Sequence, residues 1–297
     1  MIMKYKRENV CLEAPFSVNI SITEKCPLMC PACFKDFGNV AELTIEEVYT
    51  YIDELSQLGT KYIQFSGGDP IMHKSLAKMV AYAKAKGMIT RISTSGVGLT
   101  EEMIRQLEIA GLDFCHISLN GSTEEIHNLT RSAYQESITA LKNLVDSKLV
   151  VAINWVANHE NIHDLPELIK LAQRYNVKYI SVLANKKNSY NKIMYPLTYL
   201  DIETLKDYYE EYKDYLEIEN CFYELKDLTN TRVGVEKGCR GGRFYMAIDA
   251  RGHFSACPHI MSSNAKYSTI AEYWNSDIGL LSIRELYKND ALPVCLL

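Results

Sequence analysis

Apolar and polar residues alternate with a period of two over Ser17-Val18-Asn19-Ile20-Ser21-Ile22, the mark of a strand with two unlike faces. The period then changes to that of a helix. Val48, Ile52, Leu55 and Leu58 share one face, Thr44 and Glu47 have capping-box spacing, and Gly59 ends the run. The two periods go on taking turns. Strands are expected at 62–65, 88–94, 113–119, 150–156 and 179–183, and helices at 76–83, 100–110, 137–145 and 165–175. Such alternation implies a parallel sheet with right-handed crossovers. Six strands are too few to close an eight-stranded barrel, so the expected fold is α/β with an open six-stranded parallel sheet. After residue 200 the alternation stops. Residues 201–216 read as a charged, Tyr-rich helix, and 244–248 with 253–256 read as a β-hairpin turning at 249–252. The chain thus divides into an α/β unit at 12–218 and a small α+β unit, hairpin plus helix, at 219–297.

Composition narrows the function classes. A length of 297 residues suffices for one large α/β domain and an appendage. A net charge of −5 argues against nucleic acid as partner, because such binding needs a basic stripe. No stretch approaches the roughly 20 apolar residues of a membrane span, and the first residues lack the apolar core of a secretory signal. Nine cysteines without that signal point to a reducing compartment, the cytoplasm, where thiols serve metals and chemistry.

The chemistry concentrates where the first strand ends, at Cys26-Pro27-Leu28-Met29-Cys30-Pro31-Ala32-Cys33-Phe34. Two prolines keep this loop out of helix. Three converging thiolates suit an iron–sulfur cube that keeps one iron free of protein ligands. Zinc is the alternative, but a structural zinc wants four ligands and no fourth lies nearby. A disulfide framework fits an odd number of such close cysteines poorly. In a parallel α/β sheet, ligands gather beyond the carboxyl ends of the strands. Gly67-Gly68-Asp69-Pro70 ends the second strand and therefore opens on the same rim as the cysteine loop. Taken alone that segment is an ordinary turn.

The Cys-x3-Cys-x2-Cys loop after a first strand resembles the signature of the radical S-adenosylmethionine (SAM) superfamily, and the resemblance implies that the six strands form a partial parallel β/α barrel. The resemblance implies a [4Fe–4S] cluster on Cys26, Cys30 and Cys33, whose open iron chelates SAM and whose electron yields a 5′-deoxyadenosyl radical. Gly67, Gly68 and Asp69 resemble the superfamily's Gly-Gly-Glu-Pro segment, which implies contact with the SAM amino group. Ser118 and Asn120 fall where relatives offer polar groups to the ribose. Thr94-Ser95-Gly96 stands at the family's Thr-Asn-Gly turn without its Asn. Arg131 matches an arginine that pairs with the SAM carboxylate, as guanidinium geometry allows. Relatives carry an aromatic residue before the third cysteine; here that position is Ala32, and Phe34 is the candidate to cover the adenine. His116 reads as a packed core residue and His127 as a helix-surface one.

The tail holds Cys239, Cys257 and Cys295. The Cys-x12-Gly-x4-Cys stretch from Cys239 to Cys257 resembles the opening of SPASM and twitch domains, implying an auxiliary [4Fe–4S] cluster. Those domains continue with a Cys-x2-Cys pair, whereas this sequence ends two residues after Cys295, so Cys221 or a substrate atom is a candidate to complete the site. Plain packing is the alternative for all of these cysteines. Cys11 and Cys115 read as packing. Cys221 is also the candidate catalytic thiol, as hydrogen-atom donor to a substrate radical. Such relatives act on ribosomal peptides or on small molecules such as aminoglycosides. The expectation is a radical SAM oxidoreductase maturing a peptide, with small-molecule dehydrogenation as alternative and an electron donor such as flavodoxin or ferredoxin as partner. The roughly 25 residues ahead of the loop are short for the peptide-recognition domain of many relatives. A non-catalytic iron–sulfur protein is the third reading, which the glycine pair argues against.

Overall fold

The computed structural model describes residues 11–35, 40–222, 225, 239–260 and 267–288. Six strand–helix units follow the expected order. The strands are β1 (Ser17–Thr23), β2 (Tyr62–Gly67), β3 (Ile89–Thr94), β4 (Phe114–Ser118), β5 (Val150–Val156) and β6 (Tyr179–Leu183). The intervening helices are α1 (Ile45–Gln57), α2 (Leu76–Ala85), α3 (Glu101–Ile109), α4 (Glu124–Asn128), α5 (Tyr134–Leu144) and α6 (Leu165–Arg174). Thr44 closes the expected capping box: its hydroxyl accepts from the Glu47 N–H at 3.2 Å, and the Glu47 carboxylate accepts from the Thr44 N–H at 2.7 Å.

Flanking strands extend this parallel set. After α7 (Tyr199–Tyr212) comes β7 (Leu216–Ile218), parallel to β6. The expected helix at 201–216 stops short of it. A three-residue strand leaves no readable period, so the sequence did not separate the two. At the other edge, β8 (Tyr245–Ile248) pairs parallel with β1, and β9 (Phe254–Ser255) closes the hairpin antiparallel to β8. The order is β7-β6-β5-β4-β3-β2-β1-β8-β9, an open sheet whose two ends are different strands. Helices α8 (Ile270–Ser276) and α9 (Ile278–Lys288) follow.

The alternation along the strands sorts the side chains. Val18, Ile20 and Ile22 on β1, Ile63 and Phe65 on β2, and Ile117 and Ile153 on β4 and β5 belong to the buried core. Positions of the opposite parity are polar: Asn19, Gln64, Ser66, Arg91, Ser93, Asn154 and Ser181 line a cavity on the concave side of the sheet. These groups satisfy one another. The Ser66 hydroxyl donates to Asn19 (2.7 Å), and the Gln64 and Asn154 amides donate to Ser93 (3.0 and 3.1 Å). His116 is packed as expected, between Asn154 (2.8 Å) and the Tyr179 hydroxyl (3.1 Å). Burial, with Arg91 nearby, pushes its pKa down to about 3, so the ring is neutral.

The C-terminal helices are tied to the sheet unit. Trp274 on α8 is fully buried and its indole N–H donates to the Leu12 carbonyl at 2.9 Å, while the Ala271 N–H donates to Glu54 of α1 at 2.9 Å. Trp274→Ala should therefore lower the unfolding free energy of the whole molecule by about 3–5 kcal/mol in a single denaturant transition. A separate early transition, with the main one unmoved, would show instead that the tail folds by itself.

Candidate active site

The cavity encloses about 490 Å³ and runs along the open side of the sheet. Cys26, Cys30 and Cys33 line it, with Phe34, Gly67, Gly68, Asp69, Ser118, Asn120 and Arg131. Cys221, Cys239 and Cys257 line it as well. The structure thus gathers every expected site residue around one space except Cys295, which lies outside the described residues.

The cysteine loop is seated by backbone contacts. The Cys33 N–H donates to the Cys30 carbonyl and the Ala32 N–H to that of Thr130, both at 3.1 Å. All eight described cysteines are free thiols. Burial drives Cys26 up to about 11 and raises Cys33, each further raised by the neighbouring thiols of the loop. Among the described residues no three His, Cys, Asp or Glu side chains are drawn tightly enough to hold one bare ion. A cube carries its own sulfides and takes its thiolates farther apart. Three free thiols on one loop, facing one cavity, suit that larger group.

The two glycines have a steric reason. A Cβ on Gly67 would stand 2.1 Å from the Thr23 carbonyl oxygen, and one on Gly68 would stand 2.3 Å from that of Lys25. The Gly68 and Asp69 N–H groups donate to those same carbonyls at 2.7 and 2.8 Å. Backbone lies against backbone, directly ahead of Cys26.

Asp69 differs from the expectation. Its carboxylate is 1% exposed and turned inward, accepting from the Ser95 N–H (2.8 Å), the Ser95 hydroxyl (2.6 Å) and the Ile71 N–H (3.4 Å). It braces the end of β2 against the end of β3. Burial raises its pKa and the Ser95 bonds oppose that rise. Asn120 is committed in the same way: its amide donates to Thr130 (2.8 Å) and accepts from the Val156 N–H (3.1 Å). His127 is not on the surface but wholly buried. Its Nδ1 accepts from the Asn120 N–H at 3.2 Å, leaving Nε2 to donate to the Ser132 carbonyl at 3.2 Å. Burial, reinforced by Arg131, lowers its pKa to about 4. The expectation failed because a single turn such as α4 has no periodicity to show which side faces inward. Arg131 has no carboxylate within ion-pair distance among the described residues and stands close enough to lower the Cys33 pKa.

Two features escaped the sequence. Phe34 packs on His259, ring centroids 4.2 Å apart, which ties the cysteine loop to the segment after Cys257. Lys186, beyond the end of β6, donates from Nζ to the Cys221 sulfur at 3.2 Å, and the Cys221 thiol donates to Glu219 Oε2 at 3.1 Å. Burial, with the Glu219 carboxylate, raises the Cys221 pKa well above its ordinary value against the opposing pull of Lys186. Lys186 follows the end of β6, where the rim rule would have found it, whereas Glu219 stayed hidden because β7 was not recognised. A cysteine on either side of the hairpin is expected to come near the other, and Gly241 approaches Cys257 closely enough that a Cβ there would lie 3.4 Å from the Cys257 Cβ. The hairpin thus folds the segment carrying Cys239 back against Cys257.

The radical SAM superfamily model matches residues 20–172, just over half of the sequence. The chain belongs to the radical SAM superfamily, whose enzymes use a [4Fe–4S] cluster and SAM. It is 32% identical over 162 residues to Fe-coproporphyrin III synthase of Methanosarcina barkeri, covering 53% of this chain and 41% of that one. It is 31% identical over 178 residues to PqqA peptide cyclase of Bradyrhizobium diazoefficiens, covering 58% and 47%. The chain thus spans less than half the length of these curated relatives. Streptococcus suis SuiB, solved with its precursor peptide SuiA, superposes with a TM-score of 0.79 at 18% identity, over 92% of this chain and 67% of that one. That likeness establishes the fold, an open parallel α/β barrel. No helix among the described residues is long and apolar enough to cross a membrane.

Gly68→Ala forces a methyl group against two backbone carbonyls and should destabilise the fold by about 1–3 kcal/mol in urea titration. The same variant should fail to retain iron after anaerobic reconstitution. Wild-type iron content and stability would show that the contact is not needed.

Proposed function

We propose that this protein cleaves SAM reductively and modifies a ribosomally made peptide in the cytoplasm. One observation carries the reading: a single cavity joins the cysteine loop, the glycine pair and Arg131 to the thiols of Cys221, Cys239 and Cys257. Cys26, Cys30 and Cys33 would hold the cluster. When bound, cluster and SAM together supply the abstraction of a hydrogen atom from an unactivated carbon. Arg131 would pair with the SAM carboxylate, and the carbonyls of Gly67 and Gly68 would face its ammonium group, held in place by the Asp69–Ser95 brace. Phe34, backed by His259, would cover the adenine, and Ser118 is placed for the ribose. Asn120 acts through Thr130, on which the cysteine loop rests.

Cys221 would return hydrogen to the substrate. Its thiol stays protonated, and giving up a hydrogen atom leaves a sulfur radical. One electron from an external carrier such as flavodoxin or ferredoxin and one proton from Lys186 restore it. Cys239 and Cys257, with Cys295, would hold an auxiliary cluster in a C-terminal unit beginning at residue 219. Support for a peptide comes from the likeness to PqqA peptide cyclase, and the likeness to Fe-coproporphyrin III synthase supports a small molecule as the second reading.

Replacing Cys26, Cys30 and Cys33 together by Ala should abolish 5′-deoxyadenosine formation with dithionite as reductant while leaving about four irons on the tail cysteines. Undiminished cleavage would sink the site, and loss of all iron would remove the auxiliary cluster. With short peptides encoded beside the gene, mass spectrometry should find one modified by the wild type. If none is and a small metabolite is consumed, the peptide reading falls. In D2O the product should carry one deuterium that Cys221→Ala fails to install while 5′-deoxyadenosine still forms. Deuterium retained by that variant would dismiss Cys221 as donor.

A further inference from the structure

Beyond β6 the chain crosses back over the cysteine loop. The Ser189 N–H donates to the Cys33 carbonyl at 2.9 Å, and the Asn188 side-chain amide donates to the Pro31 carbonyl at 3.1 Å. Asn188 also closes the turn itself. Its Oδ1 accepts from the N–H groups of Tyr190 (3.0 Å) and Lys192 (3.1 Å), and its own N–H donates to the Lys192 carbonyl at 2.7 Å. The result is a tight knob fastened to the loop that carries the three thiols.

The knob presents positive charge without acidic residues of its own. Residues 184–200 contain three lysines and no Asp or Glu, in a chain with 37 acidic residues and a net charge of −5. Lys187 and Lys192 are exposed, and neither has a carboxylate within ion-pair distance among the described residues. Lys25, on the approach to the cysteine loop, is by contrast paired with Glu42 at 3.1 Å. Between the two free lysines stands Tyr190, 72% exposed, with Ile193 partly exposed beside them. An exposed aromatic residue rimmed by unpaired positive charge is a surface for a negatively charged protein.

We infer that the turn at residues 187–193 is the docking surface of a small acidic protein that carries one electron. The inference rests on the reading of Cys26, Cys30 and Cys33 as cluster ligands. The carrier loses one electron, the cluster site gains it, and no atom moves. Two hydrogen bonds join the turn to the carbonyls of Cys33 and Pro31, so a carrier seated there rests on a segment bonded directly to the loop that carries the thiols. The lysines steer encounter, and steering of this kind weakens with salt.

The test compares two reductants in SAM cleavage by the reconstituted enzyme: reduced flavodoxin, an acidic carrier, and dithionite, which needs no docking surface. Lys187→Glu with Lys192→Glu should raise the flavodoxin concentration for half-maximal rate on the order of tenfold and flatten its salt dependence. The dithionite rate should not change, and Lys187→Arg with Lys192→Arg should behave as wild type. Equal flavodoxin rates in the Glu variant and the wild type would overturn the docking surface. So would an equal loss with both reductants, which would place the effect in the site itself. A wild type that cleaves no SAM with dithionite would overturn the cluster reading instead.

Discussion

The site depends on one close approach, that of the Gly67-Gly68 backbone to the carbonyls of Thr23 and Lys25. Neither strand end tolerates a side chain between them, as the 2.1 and 2.3 Å clearances for an added Cβ make plain. Because that contact fixes where β1 lets go of the sheet, it also fixes where Cys26 begins the loop. Asp69 locks the other side by binding Ser95 at the end of β3. Three consecutive strand ends are thereby held in register beneath the thiols, and the loop needs few bonds of its own.

The concave side of the sheet follows a second constraint. An open barrel that must admit a ligand cannot fill its interior with apolar side chains, yet an unpaired polar group there is costly. The sheet resolves this with hydrogen bonds between neighbouring polar groups, Asn19 with Ser66 and a separate run through Gln64, Ser93, Asn154, His116 and Tyr179. Burial keeps His116 and His127 neutral, so both act as hydrogen-bonding braces rather than charges. Two of the cations facing the cavity, Arg131 by the cysteine loop and Lys186 by Cys221, stand beside sulfur. Cations so placed favour anionic partners.

Much of this was legible in the sequence because it is local. The period-two and period-3.6 runs from Ser17 to Leu183 specify strands and helices within a few residues of their observed bounds, and their strict alternation leaves little choice but a parallel sheet. The cysteine spacing, the Thr44–Glu47 cap and the Gly67-Gly68 pair are likewise written in adjacent residues. The tertiary structure alone decided the rest. It paired β8 with β1, more than 220 residues earlier in the chain. It turned Asp69 inward onto Ser95, packed His259 on Phe34, and set Cys221 between Lys186 and Glu219. The physical reason is common to all four. Strand pairing and side-chain contacts across the sheet depend on which segments the closed core brings together, and no period or spacing within either segment records the identity of its partner.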